Sequence, residues 1–242
     1  MKIEEIIRSN SDLKSSKKID LLGVSSISSS GSFDVEFIQS DLDTGFAIAL
    51  SDNDEILNNI EFITTGGELH IKNTGNITII TNNGTQVICS NNFNGNGFQI
   101  NGMSIQIGNR NQINNFNNLS GKIKIFVVLP RLNYLKLSGT GSFLSNDLKE
   151  DYIELRLSGA GNIILSGSVK NVDAKLSGTG TINLKNLICD IATLKLSGVG
   201  TIKSHVIESV TAKVSGVGDI KIYGNPIERN VSKSGLGKIK FK

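Results

Sequence analysis

The tetrapeptide Ser-Gly-x-Gly begins at Ser138, Ser158, Ser177, Ser197, Ser215 and Ser234, with spacings of 20, 19, 20, 18 and 19 residues. This repeat constrains the fold more than any other feature. A unit of that length cannot bury its own apolar face and must stack on copies of itself. Three residues before each Ser stand Leu135, Leu155, Ala174, Leu194, Ala212 and Val231; one residue before stand Leu137, Leu157, Leu176, Leu196, Val214 and Lys233. Between these two columns lie Lys136, Arg156, Lys175, Lys195, Lys213 and Ser232. Such two-residue alternation marks a strand with one buried face. Five residues after the Ser the column reads Phe143, Ile163, Ile182, Ile202, Ile220 and Ile239, so a second strand follows the turn. The rest of each unit supplies one more short apolar cluster, such as Val169 with Val172 or Ile188 with Ile191.

Stacked units of this kind make an all-β chain: a right-handed parallel β-helix (β-solenoid) with coils of about 19 residues. Parallel crossovers set the expected hand, and neighbouring coils lie about 4.8 Å apart. The two Gly columns suit corners where a Cβ would collide or φ must be positive. Composition agrees, with 26 Gly, no Trp and only 2 Pro. Those glycines disfavour continuous helix, and the Leu/Asn spacing of leucine-rich repeats is missing.

The recurrent LSGxG units, the preceding SGKIKIFVVLP and the closing GDIKIYGNP…SGLGKIK resemble the head GIN domain family, and SGSFDVEFIQ and ELHIK resemble its earlier strands. The resemblance spans residues 19–72 and 119–242. It implies a β-solenoid and an adhesin role, in a family common among bacterial surface or exported proteins. This chain departs from the family at residues 73–118, an insertion with 15 Asn in 46 residues and Arg110 as its only charge. The insertion is expected to form either irregular extra coils or a loop.

Residues 1–18 read as an N-terminal cap segment and residues 19–242 as a single solenoid domain, with regular repeats over 131–242. Ile3, Ile6 and Ile7 fall at helical spacing, so a short amphipathic helix is expected to cover the first coil. Strands are expected over 33–38, 46–50, 60–63, 68–71 and 122–129, with a turn or one helical turn at Asp52–Ile56. Lys238, Lys240 and Lys242 alternate with Ile239 and Phe241, a pattern that discourages edge-to-edge growth of a last strand.

The candidate ligand-binding residues are Lys136, Arg156, Lys175, Lys195 and Lys213, which stacking would align as an outward basic ladder. Such a stripe suits an anionic glycan or an acidic protein surface; a solvated outer face is the plainer account. Nucleic acid is not expected, because no aromatic residues accompany the cations. Two positions before the ladder, Glu154 and Asp173 become neighbours at about 5 Å, near the separation of a retaining glycosidase pair. An open face beside Arg156 and Lys175 favours a salt ladder instead. The Ser column lacks a recurrent base, since the chain has only His70 and His205. Its hydroxyls are expected to bond to one another or to turn amides. No phosphate-binding glycine motif and no recurrent Asp for a calcium repeat is present, so no metal or other cofactor is expected.

Net charge is +3, but residues 1–130 carry 9 Lys/Arg against 13 Asp/Glu and residues 131–242 carry 16 against 9. Head-to-tail homo-oligomers are one use of that asymmetry. No apolar run is long enough for a membrane span. The charged start lacks an export signal, which places the chain in the cytoplasm if Met1 is native and at the cell surface if the family tendency holds. The reading that follows is a non-catalytic adhesin-like binding module. A structural or self-assembling scaffold comes second and a polysaccharide-processing enzyme third.

Overall fold

The computed structural model describes residues 3–74, 77–80, 86–90, 98–100, 103–106 and 122–242. It opens with α1 (Ile3–Ser9), followed by β1 (Ser15–Leu21), β2 (Ser26–Ser29), β3 (Val35–Gln39) and β4 (Gly45–Ser51). The short α2 (Asp54–Asn58) stands where a helical turn was expected, and the Asn53 side chain accepts the Glu55 amide at 2.9 Å as its N-cap. β5 (Ile60–Thr65) and β6 (Glu68–Asn73) form an antiparallel hairpin. Its turn is Gly66-Gly67, both at positive φ, as a tight two-residue turn between twisted strands requires.

Within the insertion, β7 (Ile77–Ile80), β8 (Gln86–Ser90), β9 (Phe98–Ile100) and β10 (Met103–Gln106) make a separate four-stranded sheet with antiparallel pairing. Its described strands therefore add no parallel coil. The remainder of the stretch expected to form coils or a loop lies outside the described residues.

The chain returns through β11 (Ile123–Leu129) and β12 (Tyr134–Leu137) into the regular half. Here β13 (Thr140–Leu157), β14 (Ala160–Leu176), β15 (Thr179–Leu196) and β16 (Val199–Val214) run round nearly a whole coil each, each paired in parallel with the next. Register shifts between Ser145 and Leu148, and between Ile164 and Ser166, interrupt the pairing within these long strands. β17 (Val217–Gly224), β18 (Glu228–Lys233) and β19 (Lys238–Phe241) complete the stack. The apolar columns align as the spacing requires: Leu135, Leu155, Ala174, Leu194 and Ala212 face one another in sequence and are all buried.

The Ser-Gly-x-Gly corners also superpose. At each, the Ser and first Gly amides donate to one carbonyl of the coil below, as Ser158 and Gly159 do to Leu137 O at 3.0 and 3.2 Å. These backbone bonds, not hydroxyl chains, are what repeat; among the serines, Ser138 Oγ donates to Ser29 O at 3.3 Å.

Two features were not read from the sequence. The repeat has an earlier member, Ser30-Gly31-Ser32-Phe33, since Ile27 pairs with Leu135, Ser29 with Leu137 and Val35 with Phe143. Beyond β3 the main sheet then continues through β11, β4 and β1, with β4 antiparallel to both its neighbours. Of these strands β4 and β11 are buried on both faces. Ala47, Ala49, Ile125 and Val127 join the solenoid core, whereas Ile48, Leu50, Phe126 and Val128 form a second core with Ile6 and Leu13.

α1 accordingly covers the outer face of β4 and β11, instead of the end of a coil. The outward-facing Ile48, Leu50, Phe126 and Val128, and not an open coil end, provide the surface that Ile6 buries. Lys124 Nζ donates to Asn10 Oδ1 at 2.7 Å, which ties the segment to β11. β1 runs through residues 18 and 19, where the cap segment was expected to end. At the other end Lys240 forms an ion pair with Asp219 at 2.7 Å.

Candidate functional site

Parallel pairing without a register shift in this stretch puts Lys136, Arg156, Lys175, Lys195 and Lys213 opposite one another in turn. Each lies between two buried residues of its strand, so all five point outward. Ser28 and His70 extend the same column past Lys136. The ladder is therefore real as geometry, but it is not uniform in charge.

Arg156 is half-buried and bonded on both sides. Its Nη2 meets Glu154 Oε1 at 2.8 Å and its Nη1 meets Asp173 Oδ1 at 3.0 Å. Burial works against its charge, but the hydrogen bond to Asp173 and the carboxylates of Asp173 and Glu154 outweigh it, so its pKa is raised. Tyr152 Oη completes the cluster at 3.5 Å from Glu154 Oε2. The guanidinium thus bridges the two carboxylates considered as a glycosidase pair, and neither of them lines the groove described below. Lys175, Lys195 and Lys213 form no ion pair among the described residues, which leaves three consecutive rungs of positive charge flanked by Asp173, Thr193 and Thr211, of which Asp173 is engaged by Arg156.

A shallow groove of about 660 Å³ adjoins this cluster at Tyr152 and is lined among others by Gln39, Arg131, Glu150, Asp151 and Lys170. Gln39 builds one wall, its Nε2 donating to Pro130 O and Glu150 Oε1, each at 3.0 Å, while its Oε1 accepts the Lys149 amide at 2.7 Å. Glu150 also accepts the Leu132 amide at 2.8 Å. Burial raises its pKa against the lowering effect of that amide. Asp151 and Lys170 pair across the groove mouth at 2.7 Å. No local motif signals this site, because Gln39 reaches it from far away in the chain.

Cys189 is enclosed in the core, its Sγ 3.3 Å from His205 O, and burial pushes its thiol up to about 11. In a Cys89→Ser background it should resist a thiol reagent at pH 8 while the chain is folded and react fully in denaturant. Rapid native labelling would contradict the burial. Among the described residues, no group of three or more His, Cys, Asp or Glu is placed to hold a metal ion, and no helix is long and apolar enough to cross a membrane.

A second set of lysines was missed at the sequence level. Lys203, Lys221 and Lys240, six residues after the Ser of their units, also stack in register, on the sheet that leaves the opposite side of the corner. The constant offset from the Ser was present in the repeat, but the same column reads Leu144, Ile164 and Asn183 in the earlier units and so hid it.

Comparison with known proteins agrees with this architecture. The family model described as "Putative auto-transporter adhesin, head GIN domain" matches residues 24–226. No curated protein matches the chain. It is similar in fold to a "putative adhesin" of Bacteroides fragilis, at 21% identity over 95% of this chain and 98% of that one, with a TM-score of 0.63. A "putative adhesin" of Parabacteroides merdae aligns over 94% and 95% of the two chains at 16% identity, with a TM-score of 0.47. Stacked Ser-Gly-x-Gly corners and a family match over most of its length agree: the chain belongs to the head GIN domain family.

Proposed function

We propose that this protein is a non-catalytic binding module whose long outward sheet face holds an anionic glycan. The observation that supports this reading is the run Lys175, Lys195 and Lys213, three unpaired cations in register on one flat face. At the strand spacing of about 4.8 Å, they present a rigid row of donors. Because the backbone fixes them, a ligand with regularly spaced anionic groups meets them without ordering a loop first. Thr193 and Thr211 beside the row add hydroxyls that can accept or donate. The family's adhesin description and the engagement of Glu154 and Asp173 by one shared guanidinium are consistent with binding without turnover.

Dextran sulfate serves as the first probe, followed by a panel of anionic and neutral glycans. The variant Lys175→Gln/Lys195→Gln/Lys213→Gln should bind dextran sulfate roughly tenfold or more weakly. Raising salt should weaken the wild type by screening. Equal binding by wild type and variant, or a preference for neutral glycans, would remove the ladder from this role.

A further inference from the structure

The Ser-Gly-x-Gly corner is also a ridge, and its tip changes character along the solenoid. The x position reads Thr140, Ala160, Thr179, then Val199, Val217 and Leu236. The last three are exposed by 52%, 48% and 86% although apolar. The pairing of Val199 with Val217, and of Gly216 below Gly235, places these tips on successive coils. In the same coils, lysines stand four residues to either side of the tip: Lys195 and Lys203 around Val199, Lys213 and Lys221 around Val217. Lys240 follows Leu236 by the same interval. Small polar residues, Ser197 with Thr201 and Ser215 with Asp219, fill the steps between tip and lysine.

The sheets leave the corner in two directions, so the section through a coil is a wedge: an apolar edge, a narrow polar step, and a row of ammonium groups set back on each flank. In the coils that carry these three tips, Asp219 is the only acid in these columns among the described residues, and it is paired with Lys240. Lys195, Lys203, Lys213 and Lys221 have no ion pair among the described residues. A rigid acidic protein surface would have to be grooved to meet both flanks at once. A fluid interface closes round a convex edge without such a template. From this geometry we infer that the Val199–Val217–Leu236 ridge inserts into an anionic lipid bilayer surface, its tips passing the headgroups while the four lysines meet phosphates on both sides. Apolar insertion and attraction to anionic lipid are the two components of interfacial binding, and the ridge carries both.

The inference goes beyond glycan binding and needs no catalytic step. The full chain should co-float with vesicles of phosphatidylglycerol and phosphatidylcholine and not with phosphatidylcholine alone. Val217→Ser/Leu236→Ser should reduce that partitioning roughly tenfold while leaving dextran sulfate binding unchanged, which separates this inference from the preceding one. Lys203→Gln/Lys221→Gln should weaken it by a similar factor, since each lysine near an anionic surface counts for about as much as an inserted methylene or two. The chain has no Trp, so Val217→Trp supplies a single reporter whose emission should shift to the blue on adding anionic vesicles. No co-flotation by the wild type, equal partitioning by the ridge variant, or an unshifted emission in a vesicle-bound sample would each overturn the inference.

Discussion

Gly180→Ala should be among the most damaging single substitutions this chain can carry. A Cβ at that position would lie 1.9 Å from Gly161 O and 2.9 Å from Gly161 C, both backbone atoms of the coil below. No rotamer relieves a collision with backbone. Gly180 also has φ +141°, a conformation that L side chains rarely adopt. Overpacking and backbone strain together place the cost at about 4 kcal/mol. For a chain of this size, that lowers Tm by roughly 10 °C. Gly23→Ala is the control. It has positive φ but nothing within 4 Å of its Cβ, so it isolates strain at about 1 kcal/mol. Urea unfolding of both variants measures the difference. If Gly180→Ala falls within 1 kcal/mol or so of Gly23→Ala, the close stacking of the corners is not what demands glycine.

That stacking explains which parts of the fold could be read from residues alone. In the regular half each coil sees a near-copy of itself above and below, so a residue's surroundings are fixed by its place in the repeat. The Leu, Ile and Lys columns were legible for that reason. The earlier unit was disguised by two residues: Ser29 occupies a column filled by Leu or Val in the next five units, and Phe33 stands where later units have the second Gly. Ser29 is fully buried, a polar residue in an apolar position, and so it hid the register. The sheet beyond β3 was obscured differently. The runs Phe46–Leu50 and Ile125–Leu129 are apolar at every position, so alternation could not show that both faces are covered or which direction the strand runs.

The candidate site divides along the same line. Registration of the five basic residues follows from repeat spacing and was legible. The loss of one rung was not, because it depends on how the Arg156 side chain reaches across to Glu154 and Asp173. Outward positions also carry less pattern than inward ones, since solvent imposes no volume. The Lys203, Lys221 and Lys240 column shows this: it starts as Leu144, Ile164 and Asn183 and becomes basic only in later coils.

The join between the irregular N-terminal strands and the regular coils should be the place where a core truncation is felt most. Phe37 and Phe143 meet there, with ring centroids 6.3 Å apart and planes at 24°, and both are fully buried. Phe143 follows Val35 in a column that continues as Ile163, Ile182, Ile202 and Ile220, so the larger ring fills the extra space beside Phe37. Phe143→Ala removes the ring and leaves a cavity, at a cost of about 4 kcal/mol. Ile182→Val, in the same column but between two regular coils, should cost about 1 kcal/mol. In a stack where each coil touches only its neighbours, the larger loss must also be local. Hydrogen exchange on Phe143→Ala should therefore show β3, β11 and β4 losing protection before β15 and β16. Uniform loss along the stack would mean that the N-terminal strands and the coils unfold as one unit, and the ring pair would then be ordinary core, not a coupling point.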